Sequence, residues 1–175
     1  MRRMIIGLVV VSALFLTALA GATGAAGRAN ELAAVRAATA RFHDFEAATA
    51  AGYGKFYVCT DETGAGAMGQ HYVNGGLVGD AVVDPAAPEA IMYEPLPGGG
   101  QRLVGVEWVV FRSAWEGAGR SGVPSLFGRS FKLVAEPNRY GIPAFYQLHA
   151  WVWKPNPAGT YQDWNPRVSC RGMGD

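Results

Sequence analysis

Three ionisable residues stand where strand patterning leaves least room for charge. In Phe145–Lys154, alternation puts Phe145, Gln147, His149, Trp151 and Trp153 on one face. Tyr146, Leu148, Ala150, Val152 and Lys154 fall on the other. In Leu103–Phe111, Glu107 is the lone charge, sharing its face with Leu103, Gly105, Val109 and Phe111. His71 shares a strand face with Gly69 and Val73. An unpaired buried polar group costs about 1–3 kcal/mol, and an unpaired buried carboxylate takes up a proton. If the three faces converge inside one curved sheet, two outcomes are open. One is an internally satisfied His–Glu network that holds strands in register. The other is a two-histidine, one-carboxylate ligand set for a divalent transition metal, as in non-haem iron and hydrolytic zinc centres. The residue types do not choose among Zn, Fe(II), Cu(II) and Mn. Asp84 and Glu94 are substitute carboxylates, each at a strand end beside proline.

Other chemistries fare worse. None of the serines sits in a GxSxG elbow. Gly64-Ala-Gly-Ala-Met-Gly69 has the GxGxxG spacing, but His71-Tyr-Val-Asn74-Gly-Gly follows it and reads as strand then turn. A dinucleotide site needs a helix N-terminus there, so the motif is set aside. The aromatic residues Trp108, Trp151, Trp153 and Tyr72 are the candidate lining for a small apolar or aromatic ligand, with the 112–128 loop as rim. Cys59 and Cys170 are the only cysteines and lack CxxC spacing, so they read as one disulfide in an oxidising compartment.

These residues must be positioned by a fold of α+β class. Residues 29–51 predict one long N-terminal helix: Leu32, Val35, Phe42 and Phe45 share a stripe, Asn30 caps it and Gly52 ends it. His43, beside Asp44, reads as solvated. Strands are expected at 56–59, 68–73, 81–84, 90–94, 102–111, 130–135 and 145–154, with a hairpin at Pro97-Gly-Gly-Gly100. The expectation is a strongly curved antiparallel sheet of about six strands carrying the helix, with barrel-like closure as a variant. The proline-rich tail reads as ordered coil.

The motifs AxGY (50–53), GAMGxHYVN (66–74), DPxxPE (84–89), YEP (93–95), LVGVEW (103–108), LFG (126–128) and LHAWxWxxNPxGxxxxWNPxVSC (148–170) resemble an uncharacterised family of exported bacterial hypothetical proteins. The resemblance spans nearly all of the mature chain. It implies export and a single domain, and it carries no activity or catalytic residue.

Export is also written in the first residues. Arg2-Arg3 precedes an apolar run from Ile5 to Leu19, closed by the small-x-small site Ala18-Leu-Ala20. Residues 1–20 are therefore expected to be a cleaved signal peptide, 21–28 a flexible mature N-terminus and 29–175 a single globular domain. Cleavage removes two arginines and no acid from 15 basic and 14 acidic residues, leaving a net charge of −1. So weak a charge offers no footprint for nucleic acid, and no stable membrane insertion is expected after cleavage. The localisation expected is secreted or cell envelope. The leading functional expectation is a binding module with an aromatic-lined interior. A metal-dependent enzyme or metal-binding protein using His71, Glu107 and His149 is the alternative, and a structural or interaction protein of the envelope is the second.

Overall fold

The computed structural model describes residue 27 and residues 30–172; the expected signal peptide, nearly all of 21–28 and residues 173–175 lie outside the described residues. No helix among the described residues is long and apolar enough to cross a membrane.

The N-terminal helix is not one long rod. Residues 30–39 form α1, Ala40–His43 tighten into a 3-10 turn, Asp44 is extended, and α2 runs Phe45–Ala50. Local chemistry explains the break. Buried Thr39 turns its hydroxyl back onto the Val35 carbonyl at 2.8 Å, a bond that bends helices. The Tyr93 hydroxyl donates to the Phe42 carbonyl at 2.6 Å, and the Asp44 carboxylate accepts from the Glu46 amide as a fresh N-cap. The expected span of 29–51 is thus corrected to short segments, and the bend lets Phe42 and Phe45 both reach the core.

Eight strands follow: β1 (Gly54–Glu62), β2 (Gly66–Val73), β3 (Ala90–Pro95), β4 (Gln101–Phe111), β5 (Ser125–Leu126), β6 (Arg129–Ser130), β7 (Lys132–Val134) and β8 (Phe145–Ala150). A single helical turn, α3 (Gly75–Val78), leaves β2, with the Asn74 side chain accepting from the Gly76 amide. Six strands make one antiparallel sheet in the order β1-β2-β3-β4-β8-β7, curled into a half-barrel, while β5 and β6 pair separately. One face carries the helices over Ile91, Tyr93, Val106, Trp108, Val110, Tyr146 and Leu148. The other face curls around the three polar residues described below.

Four strand expectations change; in one, the strand expected at 130–135 divides between β6 in the small sheet and β7 in the large one. Residues 81–84 are irregular because the Asp80 and Asp84 carboxylates accept from Val82 and Ala86 amides, closing side-chain turns. The last strand ends at Ala150 rather than near Lys154, because the Trp153 and Lys154 amides both donate to the Val104 carbonyl. A bulge between Met92 and Tyr93 on β3 makes Val104 an extra residue on β4. Leu103 therefore joins Val106 and Trp108 in the helix-side core, while Val104 packs with Met92 and Trp151. Strict alternation misplaces both residues. The GxGxxG spacing lies in the β1–β2 turn and β2, with strand rather than helix after it.

Cys59 and Cys170 are disulfide-bonded. The bond ties a bulged stretch of edge strand β1, where the register shifts between Phe56 and Thr60, to the C-terminal tail. Gln70 Nε2 holds the same bulge by donating to the Phe56 and Tyr57 carbonyls.

Candidate metal centre

Glu107 and His149 are direct partners across β4 and β8, so the ladder itself puts their side chains side by side. His71 arrives from β2, with β3 between. Ala90 stands opposite Glu107 and Met92 opposite His71, so the residue beside the carboxylate is too small to screen it from the imidazole. Gly105 must be small as well: a Cβ there would lie 2.5 Å from Met92 Cε and 2.7 Å from the Ala150 carbonyl.

The convergence is tight. His71 Nε2 lies 3.3 Å from His149 Nε2 and 3.4 Å from Glu107 Oε2, while His149 Nε2 lies 3.5 Å from Glu107 Oε1. The three residues together form a group able to hold a metal ion. The two legs to Glu107 end on its two different oxygens, and one donor atom from each residue can be chosen with all three within 4.8 Å of one another.

Outer contacts aim both rings inward. His149 Nδ1 lies 3.4 Å from Asp163 Oδ1, and Asp163 is paired in turn with Lys132 on β7. The His71 ring hydrogen-bonds the backbone of Gly69. Gly69 has φ +82°, and a Cβ there would meet the Tyr93 carbonyl at 2.8 Å, so that backbone position requires glycine. A carboxylate or a carbonyl behind a histidine is the usual support of a metal-bound imidazole.

The electrostatics divide the three groups. Burial pushes the His71 imidazole down to about 3, with His149 pushing the same way, so His71 offers a neutral lone pair across the physiological range. Burial would also lower His149, but Glu107 and Asp163 outweigh it and raise it. Burial raises Glu107, and the neighbouring His149 draws it part of the way back. For Asp163, burial works upward, yet His149 and Lys132 hold it well below the ordinary carboxylate range.

A cavity of about 200 Å³ opens over this cluster. His71 and Glu107 are in its wall, and His149, its side chain only 1% exposed, lies one layer deeper. The walls are otherwise mostly apolar. Tyr140 closes the rim: its ring is 5.6 Å from Phe56 and 5.1 Å from Tyr57 on β1, and 5.9 Å from Phe145 on β8. The 112–128 segment, expected as rim, contributes nothing to the cavity lining. It forms α4 (Arg112–Gly117) and part of the β5–β6 hairpin, and its Trp115 packs on the helix-side core.

The four aromatic candidates lie elsewhere, and none lines the cavity. Trp108 is fully buried, with Nε1 donating to the Asp84 carbonyl. Tyr72 packs against Phe45 and Tyr93. Trp153 donates to Thr39 Oγ1 and stacks edgewise on His43. Trp151 is buried with Met92 and Val104 and donates to the Gln162 carbonyl. The substitute carboxylates are also engaged away from the cluster. Glu94 pairs with Lys154 and Arg102, and Asp84 caps its own turn. Asp163 and Lys132 are not legible as site residues in the sequence, since Asp163 lies in the unpatterned tail and Lys132 reads as an ordinary exposed strand lysine.

One further buried carboxylate lies outside the cluster. Burial pushes Glu89 up to about 8, although its Oε2 accepts the Val109 amide at 2.9 Å. The native state therefore keeps a proton that the unfolded chain has lost between pH 4.5 and 8. By linkage, this group lowers stability as pH rises through that window. Glu89→Gln keeps the acceptor and removes the charge. It is expected to raise stability at pH 8.5 by a few kcal/mol, since each tenfold difference in proton affinity is worth about 1.4 kcal/mol, and to change it little at pH 4.5. Urea melts at the two pH values check this, and equal effects at both would contradict it.

Comparison of the chain with protein-family models, curated proteins and solved structures returns no match.

Proposed function

We propose that the protein is an exported metalloprotein in which His71, Glu107 and His149 bind one divalent transition-metal ion at the floor of an apolar pocket. The observation that carries this reading is the triangle of 3.3, 3.4 and 3.5 Å among the two Nε2 atoms and the carboxylate. Two ring nitrogens and one carboxylate turned toward a common point supply a donor set for a shared cation. Two imidazoles and a carboxylate are a common ligand set for zinc, which serves as the probe ion. Three protein ligands leave a position open on the pocket side, where a bound ion supplies Lewis-acid character to whatever enters. The disulfide, with the export signal expected over residues 1–20, supports an oxidising destination.

Equilibrium dialysis of the mature protein against zinc is expected to give one ion per chain, bound more weakly in acid as the imidazoles protonate. Asp163→Asn, which leaves the three ligands in place, is expected to weaken zinc about 10–100-fold. Absence of stoichiometric zinc at neutral pH would overturn the proposal.

A further inference from the structure

Resting on the metal reading above, we infer that the pocket is the binding site for a small monoanionic aromatic molecule, one ring bearing a single carboxylate or phenolate that completes the coordination of the cation.

Size sets the first bound. A dry cavity of about 150 Å³ accommodates benzene, so about 200 Å³ is sized for one ring and a short substituent. Wall chemistry sets the second. Phe56, Phe111, Phe145 and Tyr140 line the pocket together with Val73 and Val109. Edge-to-face contacts with such walls favour an aromatic body. The polar wall is confined to a few groups, among them His71 and Glu107, which share the triangle, and Thr60 and Gln147.

Charge sets the third. A divalent ion beside one carboxylate and two neutral imidazoles leaves one positive charge in an apolar enclosure. The nearby Asp163 and Lys132 are paired with each other and cancel. A buried net charge is costly unless paired, so the open coordination position selects a donor carrying one negative charge. Shape, wall and charge together describe benzoate-like or phenolate-like ligands.

The test uses the whole mature protein loaded with Co(II), whose visible bands report the coordination shell. Cobalt is first titrated alone, which judges the metal reading by itself. Benzoate, acetate, benzene and a two-ring naphthoate are then added to the cobalt form, and benzoate to the metal-free form. Benzoate is expected to shift the cobalt bands and to bind at least tenfold more tightly than acetate, naphthoate or benzene. It is also expected to bind at least tenfold more tightly to the cobalt form than to the metal-free form. Ile142→Trp, on the half-buried rim, is expected to keep cobalt and lose benzoate. Cobalt binding with equal affinities for benzoate and acetate would overturn the ligand assignment and leave the metal site standing. Failure to bind cobalt would overturn both. The ligand series on the unaltered protein decides the matter even if the variant does not fold.

Discussion

Glu107→Gln is expected to lower zinc affinity by at least about 10³-fold, roughly 4 kcal/mol, while leaving the metal-free fold close to its original stability. The substitution conserves volume but removes the negative charge, and an amide oxygen is a poor ligand for zinc. The metal-free fold tolerates it because burial already disfavours the Glu107 charge. Zinc at 100 times its dissociation constant stabilises the native chain by about 2.7 kcal/mol, or roughly 5–10 °C in melting temperature. In Glu107→Gln that gain should vanish at the same zinc concentration. Thermal melts with and without zinc, on both proteins, measure it. If the carboxylate only holds strands in register, the variant should melt lower and zinc should move neither protein.

The second large effect concerns the disulfide. Replacing Cys59 and Cys170 together by alanine is expected to lower the melting temperature by roughly 10–20 °C. The bridge spans a sequence separation of 111 residues, and closing a loop of that length is worth about 5 kcal/mol in chain entropy. The loss should extend beyond stability. Val58 and Thr60, which flank Cys59, line the cavity, and Asp163 belongs to the tail that Cys170 anchors. Zinc affinity is therefore expected to fall in the double variant although no ligand has been touched. Calorimetry and zinc dialysis on the variant check both parts. An unchanged melting temperature would show that Val168 packing and the Ala67–Asn165 bridge anchor the tail without the disulfide.

Part of this architecture is legible in the sequence, for identifiable physical reasons. His71, Glu107 and His149 stand out because each is the one ionisable residue on a largely apolar strand face, and period-two geometry fixes that face. Alternation also puts Tyr72 on the face opposite His71 and Trp108 on the face opposite Glu107. That is why neither reaches the cavity, although ring chemistry alone makes both candidates for its lining. What periodicity cannot supply are events that break it. The bulge that exchanges Leu103 and Val104 depends on β3, a partner strand. The helix break at Asp44 depends on Tyr93 and Trp153, which are distant in sequence and take up the Phe42 carbonyl and the Thr39 hydroxyl. Trp153 leaves the strand face because the chain turns onto the Val104 carbonyl. Asp163 comes from a tail with no repeating pattern, placed only after the strand ends. Its role follows from tertiary contact alone.

The central claim is that two imidazoles and one carboxylate share a single ion. X-ray absorption at the zinc edge of the stoichiometrically loaded protein addresses it most directly. A first shell of nitrogen and oxygen at about 2.0–2.1 Å, with the outer-shell scattering of two imidazole rings, is the expected result. A shell of oxygens without imidazole scattering would contradict the account.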